Sequence, residues 1–237
     1  MMGAVMDAVF KVVLRLAVAS VVGACVGGVA GWAAARRELA GWPVWTRRIV
    51  TACGMIAGGC AGVLAAGWQE ALELLAILSA LLVCSVVDLG RRIIPNPAVA
   101  FILGTRAAYL SLGSLASCAR GAVCSLAFEE MRMSLAGGVT VLLVLAVVCL
   151  FLMCARDSPR GGLGGGDVKL LVACGVCVGP VGGVTCVALS CVLSLACCLG
   201  AWLFGRAQGR GGSFPISFPL APEVLASMVI LTAYRAF

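Results

Sequence analysis

The sequence predicts an all-α polytopic membrane protein, a helix bundle of about seven to eight membrane segments with one of them short or broken. Three observations predict this. Of the 237 residues, 62% are hydrophobic and only 11% are charged. A soluble domain carries roughly 25% charged residues, so the polar surface here is too small to coat a body in water. The apolar residues gather in continuous runs of about 20, the length of a bilayer-crossing helix. They do not alternate with polar residues, as barrel strands do. The net charge of +7 comes mainly from arginines in short loops between those runs.

The first expected span runs from about residue 10 to 35. It is too long for the core of a signal peptide and has no clear cleavage site, so it is read as part of the mature protein. A loop with Arg36, Arg37, Trp42, Trp45, Arg47 and Arg48 follows, the composition of an interfacial anchor. The second span, about 49–67, contains Gly54, Gly58 and Gly62, spaced for close helix approach. The third, about 71–89, ends on Asp88 ahead of Gly90, Arg91, Arg92 and a Pro95-Asn96-Pro97 breaker. The fourth, about 98–116, contains Arg106, which at that depth should face a polar cavity or snorkel. The polar connection 117–134 leaves room for an interfacial helix near 128–133. The fifth span, about 135–154, leads to a loop and then the run Gly161 to Gly166. A short apolar segment, 168–179, breaks at Gly179-Pro180, and a full span at 182–204 and a last one at about 218–234 complete the chain. On this reading residues 1–70 are N-terminal membrane segments and 71–237 form the functional core.

Basic residues alternate between loops. Arg36, Arg37, Arg47, Arg48, Arg91, Arg92, Arg156, Arg160, Arg206 and Arg210 share one side, and fewer fall on the other. The richer side is expected in the cytoplasm, and Asp88 and Asp167 both fall there. No domain clusters Lys and Arg with aromatics, so nucleic acid is not an expected partner. There is no histidine, which removes imidazole as base, nucleophile or ligand. Most of the 14 cysteines lie within apolar runs, where a thiol acts as a small hydrophobe. Cys174 and Cys177 form a lone CxxC without a second pair, so no metal or other cofactor is expected. Cys118 and Cys124 share the loop placed outside, where a disulfide could form.

Two acids stand out. Asp88 closes a span, and its bland role is an ion pair with Arg91 or Arg92; a carboxylate there has the wrong sign for the helix dipole. Asp167 follows Gly164-Gly165-Gly166 and could be a plain N-cap. Capping does not need three glycines, however, and these permit close approach of another chain, such as a peptide substrate. Two carboxylates brought together share a proton; the ionised one can deprotonate water while the protonated one polarises a carbonyl. Lys169 could bias such a pair or simply snorkel.

At these residues the chain resembles the prepilin peptidase, or type IV leader peptidase, family of GxGD membrane aspartyl proteases. Gly164-Gly165-Gly166-Asp167-Val168-Lys169-Leu170 matches the family's Gly-x-Gly-Asp-x-Lys-Leu motif. Asp88 with Ile94-Pro95-Asn96 matches its first motif, and Pro215 to Pro222 is similar to the approach to its last span. The resemblance implies that Asp88 and Asp167 are a catalytic pair and that Gly164, Gly165, Gly166 and Lys169 form the substrate-approach loop. The implied substrate is a prepilin or pseudopilin precursor with a short basic leader, cut after a glycine before a hydrophobic helix. The implied setting is the inner or plasma membrane, multi-pass, with the site facing the cytoplasm; homo-oligomerisation stays open. The first cytoplasmic loop lacks the paired CxxC motifs of longer members, so a peptidase without N-methyltransferase activity is expected, as in a tight-adherence pilus system. Val87 rather than Tyr precedes Asp88, and no Pro-Ala-Leu stands near the C-terminus, unlike the presenilin branch. A transporter or proton-coupled membrane protein is the rival reading; its acids would belong near the midplane.

Overall fold

The structure, a computed structural model, describes residues 21, 23–25, 27–29, 31, 33, 36, 44–65, 68–119, 125–154, 164–207 and 219–236. The described residues form seven helices: α1, whose described residues fall between 21 and 36, then α2 (Val44–Leu64), α3 (Trp68–Arg91), α4 (Asn96–Ala119), α5 (Ser125–Cys154), α6 (Gly165–Ala207) and α7 (Ala221–Ala236). Four are long and apolar enough to cross a membrane: α3, α4, α5 and α6. The apolar helix α7 is shorter. This is the make-up of a multi-pass membrane protein. Much of the expected first span, Cys124 of the disulfide that the sequence left open, and residues 155–163 and 208–218 lie outside the described residues.

Helix α3 is the most deeply buried of the four long apolar helices. Of its most apolar stretch 56% is buried within the protein, against 11% for α4. Its buried side chains Ile77, Leu81, Cys84 and Asp88 recur at three- and four-residue spacing, which places them on one helical stripe. Asp88 thus continues an apolar face inward. Ile102 of α4, Val141 of α5, Leu170 of α6 and Val224 and Met228 of α7 belong to the same apolar core as this stripe. The outward faces carry Leu143, Val147, Phe151, Leu195 and Phe204, all well exposed. A water-soluble monomer rarely displays so continuous an apolar surface; a lipid-facing one must.

Small residues set the closest helix contacts. Gly54 and Gly58 of α2 meet Gly27 and Gly23 of α1, where an added Cβ would strike the opposing backbone. This is the close approach expected from the spacing in α2.

The break at Gly179-Pro180 is sharper than a kink. Gly179 has φ 76° and ψ −179°, a conformation that only glycine adopts readily. A Cβ on Gly183 would lie 3.0 Å from the Gly175 Cα, whereas eight residues of straight helix span about 12 Å. Cys174 before the break and Cys186 after it share the same buried core. The chain therefore turns back, giving α6 a short arm, 165–178, and a long return arm, 180–207. The polar connection differs from expectation. The interfacial helix near 128–133 is the first part of α5, continuous with the expected fifth span.

Candidate active site

Helix α3 runs past Gly90 to Arg91, and the left-handed residue that stops it is Arg92, with φ 55°. The Arg92 N–H donates to the Asp88 carbonyl at 2.8 Å, closing the last turn. The chain then reaches Pro95, whose carbonyl accepts the Ala98 N–H at 3.1 Å, and α4 starts at Asn96. Pro97 falls in the first turn, where a missing N–H costs no intrahelical bond. This short link fixes the Ile94-Pro95-Asn96 segment beside Asp88.

Asp88 is 5% exposed. Its Oδ2 accepts the backbone N–H of Ala221 at 3.1 Å, from the first residue of α7. The N-terminus of a helix presents unpaired N–H groups and the positive end of the helix dipole, so it suits a carboxylate. A backbone donor at the start of a distant helix thus helps to hold the Asp88 carboxylate. The sequence alone did not reveal this partner, which is 133 residues away.

Asp167 lies in the first turn of α6, three residues after Gly164. Its carboxylate accepts the Gly164 backbone N–H. Gly164 in turn gives its carbonyl to the Val168 N–H at 3.2 Å. This is the acid half of a capping box rather than an N-cap proper, and it orients the carboxylate. Asp88 and Asp167 are close enough for their charges to interact. Each is oriented by a backbone N–H at the start of a helix.

The glycines differ in their surroundings. A Cβ on Gly166 would lie 3.1 Å from the Ile94 Cβ, so a side chain there would push α6 away from the link after Asp88. Beside Gly165 there is open space, and a Cβ on Gly164 would meet the Asp167 carboxylate at 2.9 Å. Exposed Lys169 donates from Nζ to the Asn96 Oδ1 at 3.4 Å. Gly166 on Ile94 and Lys169 on Asn96 therefore join two motifs 73 residues apart.

Sequence reasoning missed Glu223, in the first turn of α7. It is 5% exposed, and its charge interacts with that of Asp88. Its only signal in the sequence was an acid at the start of an apolar segment. At the opposite end of α3 lies a second polar cluster. Arg106 donates to Glu73 Oε1 at 3.0 Å and to Ser134 Oγ at 3.3 Å, and Ser134 donates to the Val176 carbonyl at 2.5 Å. Arg106 lines a cavity of about 450 Å³ with Glu129, Glu130 and the Gly179-Pro180 turn, so it faces the polar cavity its depth required. Among the described residues no group of three or more Cys, Asp or Glu side chains is arranged to hold a metal ion.

No curated protein and no solved structure matched the chain. The family model described as type IV leader peptidase matches residues 75–199, over half of the sequence, from the middle of α3 to the return arm of α6. That stretch holds both aspartates, the Ile94-Pro95-Asn96 link and the glycine run, and the chain belongs to the type IV leader peptidase family.

Proposed function

We propose that the protein cleaves the leader from prepilin-like precursors at the cytoplasmic face of the membrane, with Asp88 and Asp167 acting as a pair on one water. Family membership implies aspartic-type cleavage of prepilin leader peptides. The observation that carries the finer reading is the joining of two motifs from opposite halves of the core. Gly166 packs on Ile94 and Lys169 bonds to Asn96, and two oriented carboxylates act on one another beside that contact.

Such a pair can hydrolyse an amide without metal or covalent intermediate. The ionised carboxylate takes a proton from water as the oxygen attacks the scissile carbonyl carbon. The protonated carboxyl gives its proton to the carbonyl oxygen. The tetrahedral intermediate then collapses: the C–N bond breaks as the leaving nitrogen takes the proton that the first carboxylate drew from water, a hydroxyl of the intermediate returns a proton to the second carboxylate, and the new carboxyl group departs. The open space beside Gly165 suits an extended chain lying against the backbone. In this reading Gly166 and Lys169 position the Asp167 helix, and Gly164 orients the carboxylate. The acids stand at helix ends rather than near helix centres, which favours cutting at an interface over transport through the midplane. The basic loops on the same side support a cytoplasmic site.

Co-expression with a prepilin tests the proposal. Asp88→Asn and Asp167→Asn should each leave the precursor uncut while the protein accumulates in membranes at its usual level. Normal processing by both variants would overturn it.

A further inference from the structure

We infer that a basic cleft at the start of α2 binds the headgroup of an anionic phospholipid through Arg36, Arg47 and Arg48. The cleft is a cavity of about 480 Å³. It brings Arg36 of α1 together with Arg47, Arg48 and Thr51 of α2, over apolar walls that include Val44 and Met55. Its volume falls within the roughly 300–1,000 Å³ of sites for small molecules. Among the described residues no acid lines it. Thr51 donates its hydroxyl to the Arg47 carbonyl at 3.0 Å, so the charge of the lining comes from guanidinium groups alone. Three of these around one cavity give it a positive potential.

A second observation points the same way. The Arg47 Nε is buried with no hydrogen-bond partner. A buried donor without an acceptor is costly, and a phosphate beside this guanidinium would offset that cost. Guanidinium groups suit phosphate in particular, because their parallel N–H donors match its oxygens. The walls select a lipid phosphate over a free one. Val44 and Met55 are both well exposed, and they stand three turns apart on one face of α2. The apolar wall therefore runs for about 16 Å along the helix, where an acyl chain can lie. Basic pockets at the ends of membrane helices attract anionic headgroups in this way. The leaflet is that of the aspartates. Val50, one turn beyond Arg47, shares a small buried cluster with Val86 of α3, two residues before Asp88. The cleft thus lies at the same end of the bundle as Asp88.

Native mass spectrometry of the full-length protein in neutral detergent tests the inference. Equal amounts of dioleoyl phosphatidylglycerol and dioleoyl phosphatidylcholine compete, two lipids with the same chains and different headgroup charge. The first lipid bound should be phosphatidylglycerol by about tenfold or more. Arg47→Gln/Arg48→Gln should bring that preference to within about twofold of parity, and Arg48→Gln alone should lower it roughly threefold or more. Arg132→Gln, on the exposed start of α5, should leave it unchanged. A large excess of inorganic phosphate should not displace the lipid. A parent protein without the preference, a double variant that keeps it, or an equal loss in Arg132→Gln would overturn the inference. Displacement by inorganic phosphate would also overturn it, because the cleft would then hold a soluble anion. If the double variant does not accumulate, Arg48→Gln decides, since Arg48 is exposed; an unchanged preference there counts against the site.

Discussion

Arg106 and Glu73 form an ion pair whose side chains are only 16% and 8% exposed. Removing one partner leaves a buried charge uncompensated, which costs about 3–5 kcal/mol. Arg106→Ala and Glu73→Ala should therefore each lower the thermal unfolding midpoint in detergent sharply. The double variant Glu73→Leu/Arg106→Met should be more stable than either single one. Gly166 tests the other end of the bundle. An added methyl would meet the Ile94 Cβ at 3.1 Å, so Gly166→Ala should shift the start of α6 by a few tenths of an ångström. Catalysis tolerates misplacement poorly, and a loss of cleavage of roughly tenfold or more is expected with little loss of stability. Steady-state kinetics alongside a melting curve separates the two effects. At this scale the sequence told much about Asp167, because a glycine run before an acid is local. It told little about how Asp88 is held, because the Ala221 N–H comes from 133 residues away and backbone donors leave no mark on side-chain pattern.

Among the elements, α6 has the least obvious geometry. Gly179-Pro180 was legible as a break, since proline cannot continue a helix ladder and glycine ends one. The direction of the turn was not, because it depends on contacts between Gly137, Gly175 and Gly183 on two helices. Gly137 belongs to α5, and a Cβ there would collide with the Gly175 carbonyl. The turn brings the return arm against α7, where Ser190 donates to Ser227 at 3.1 Å, and so braces the helix that holds Asp88. Gly179→Ala forces a side chain into a region that costs about 1–3 kcal/mol. It should lower the melting midpoint and reduce cleavage together, since the bracing of α7 is lost with the turn. Likewise the 128–133 segment was read as a separate interfacial helix because it is polar. Its Glu129–Arg132 pair at 2.7 Å instead decorates the exposed start of one continuous helix.

For the whole molecule, the continuous apolar runs made the helical membrane class legible, since burial in lipid requires both apolar surface and internally satisfied backbone. The packing order of the helices had to come from the structure. The distribution of arginines sets a topological expectation that can be measured. In a background without other reactive cysteines, Ile93→Cys, at an exposed site beside the aspartates, should react with a membrane-impermeant maleimide from the cytoplasmic side. Glu129→Cys, on the exposed start of α5, should react only from the opposite side. The reverse pattern would place the aspartates where cytoplasmic precursors cannot reach them.

The joint action of Asp88 and Asp167 is tested most directly by a double-mutant comparison of kcat on a purified prepilin peptide. Groups that act as one unit are strongly non-additive. Each of Asp88→Asn and Asp167→Asn should lower kcat by roughly 10⁴-fold or more, and the double variant should lie no lower than the singles. Losses that multiply in the double variant, or a single variant that still turns over at near the parental rate, would contradict the shared site.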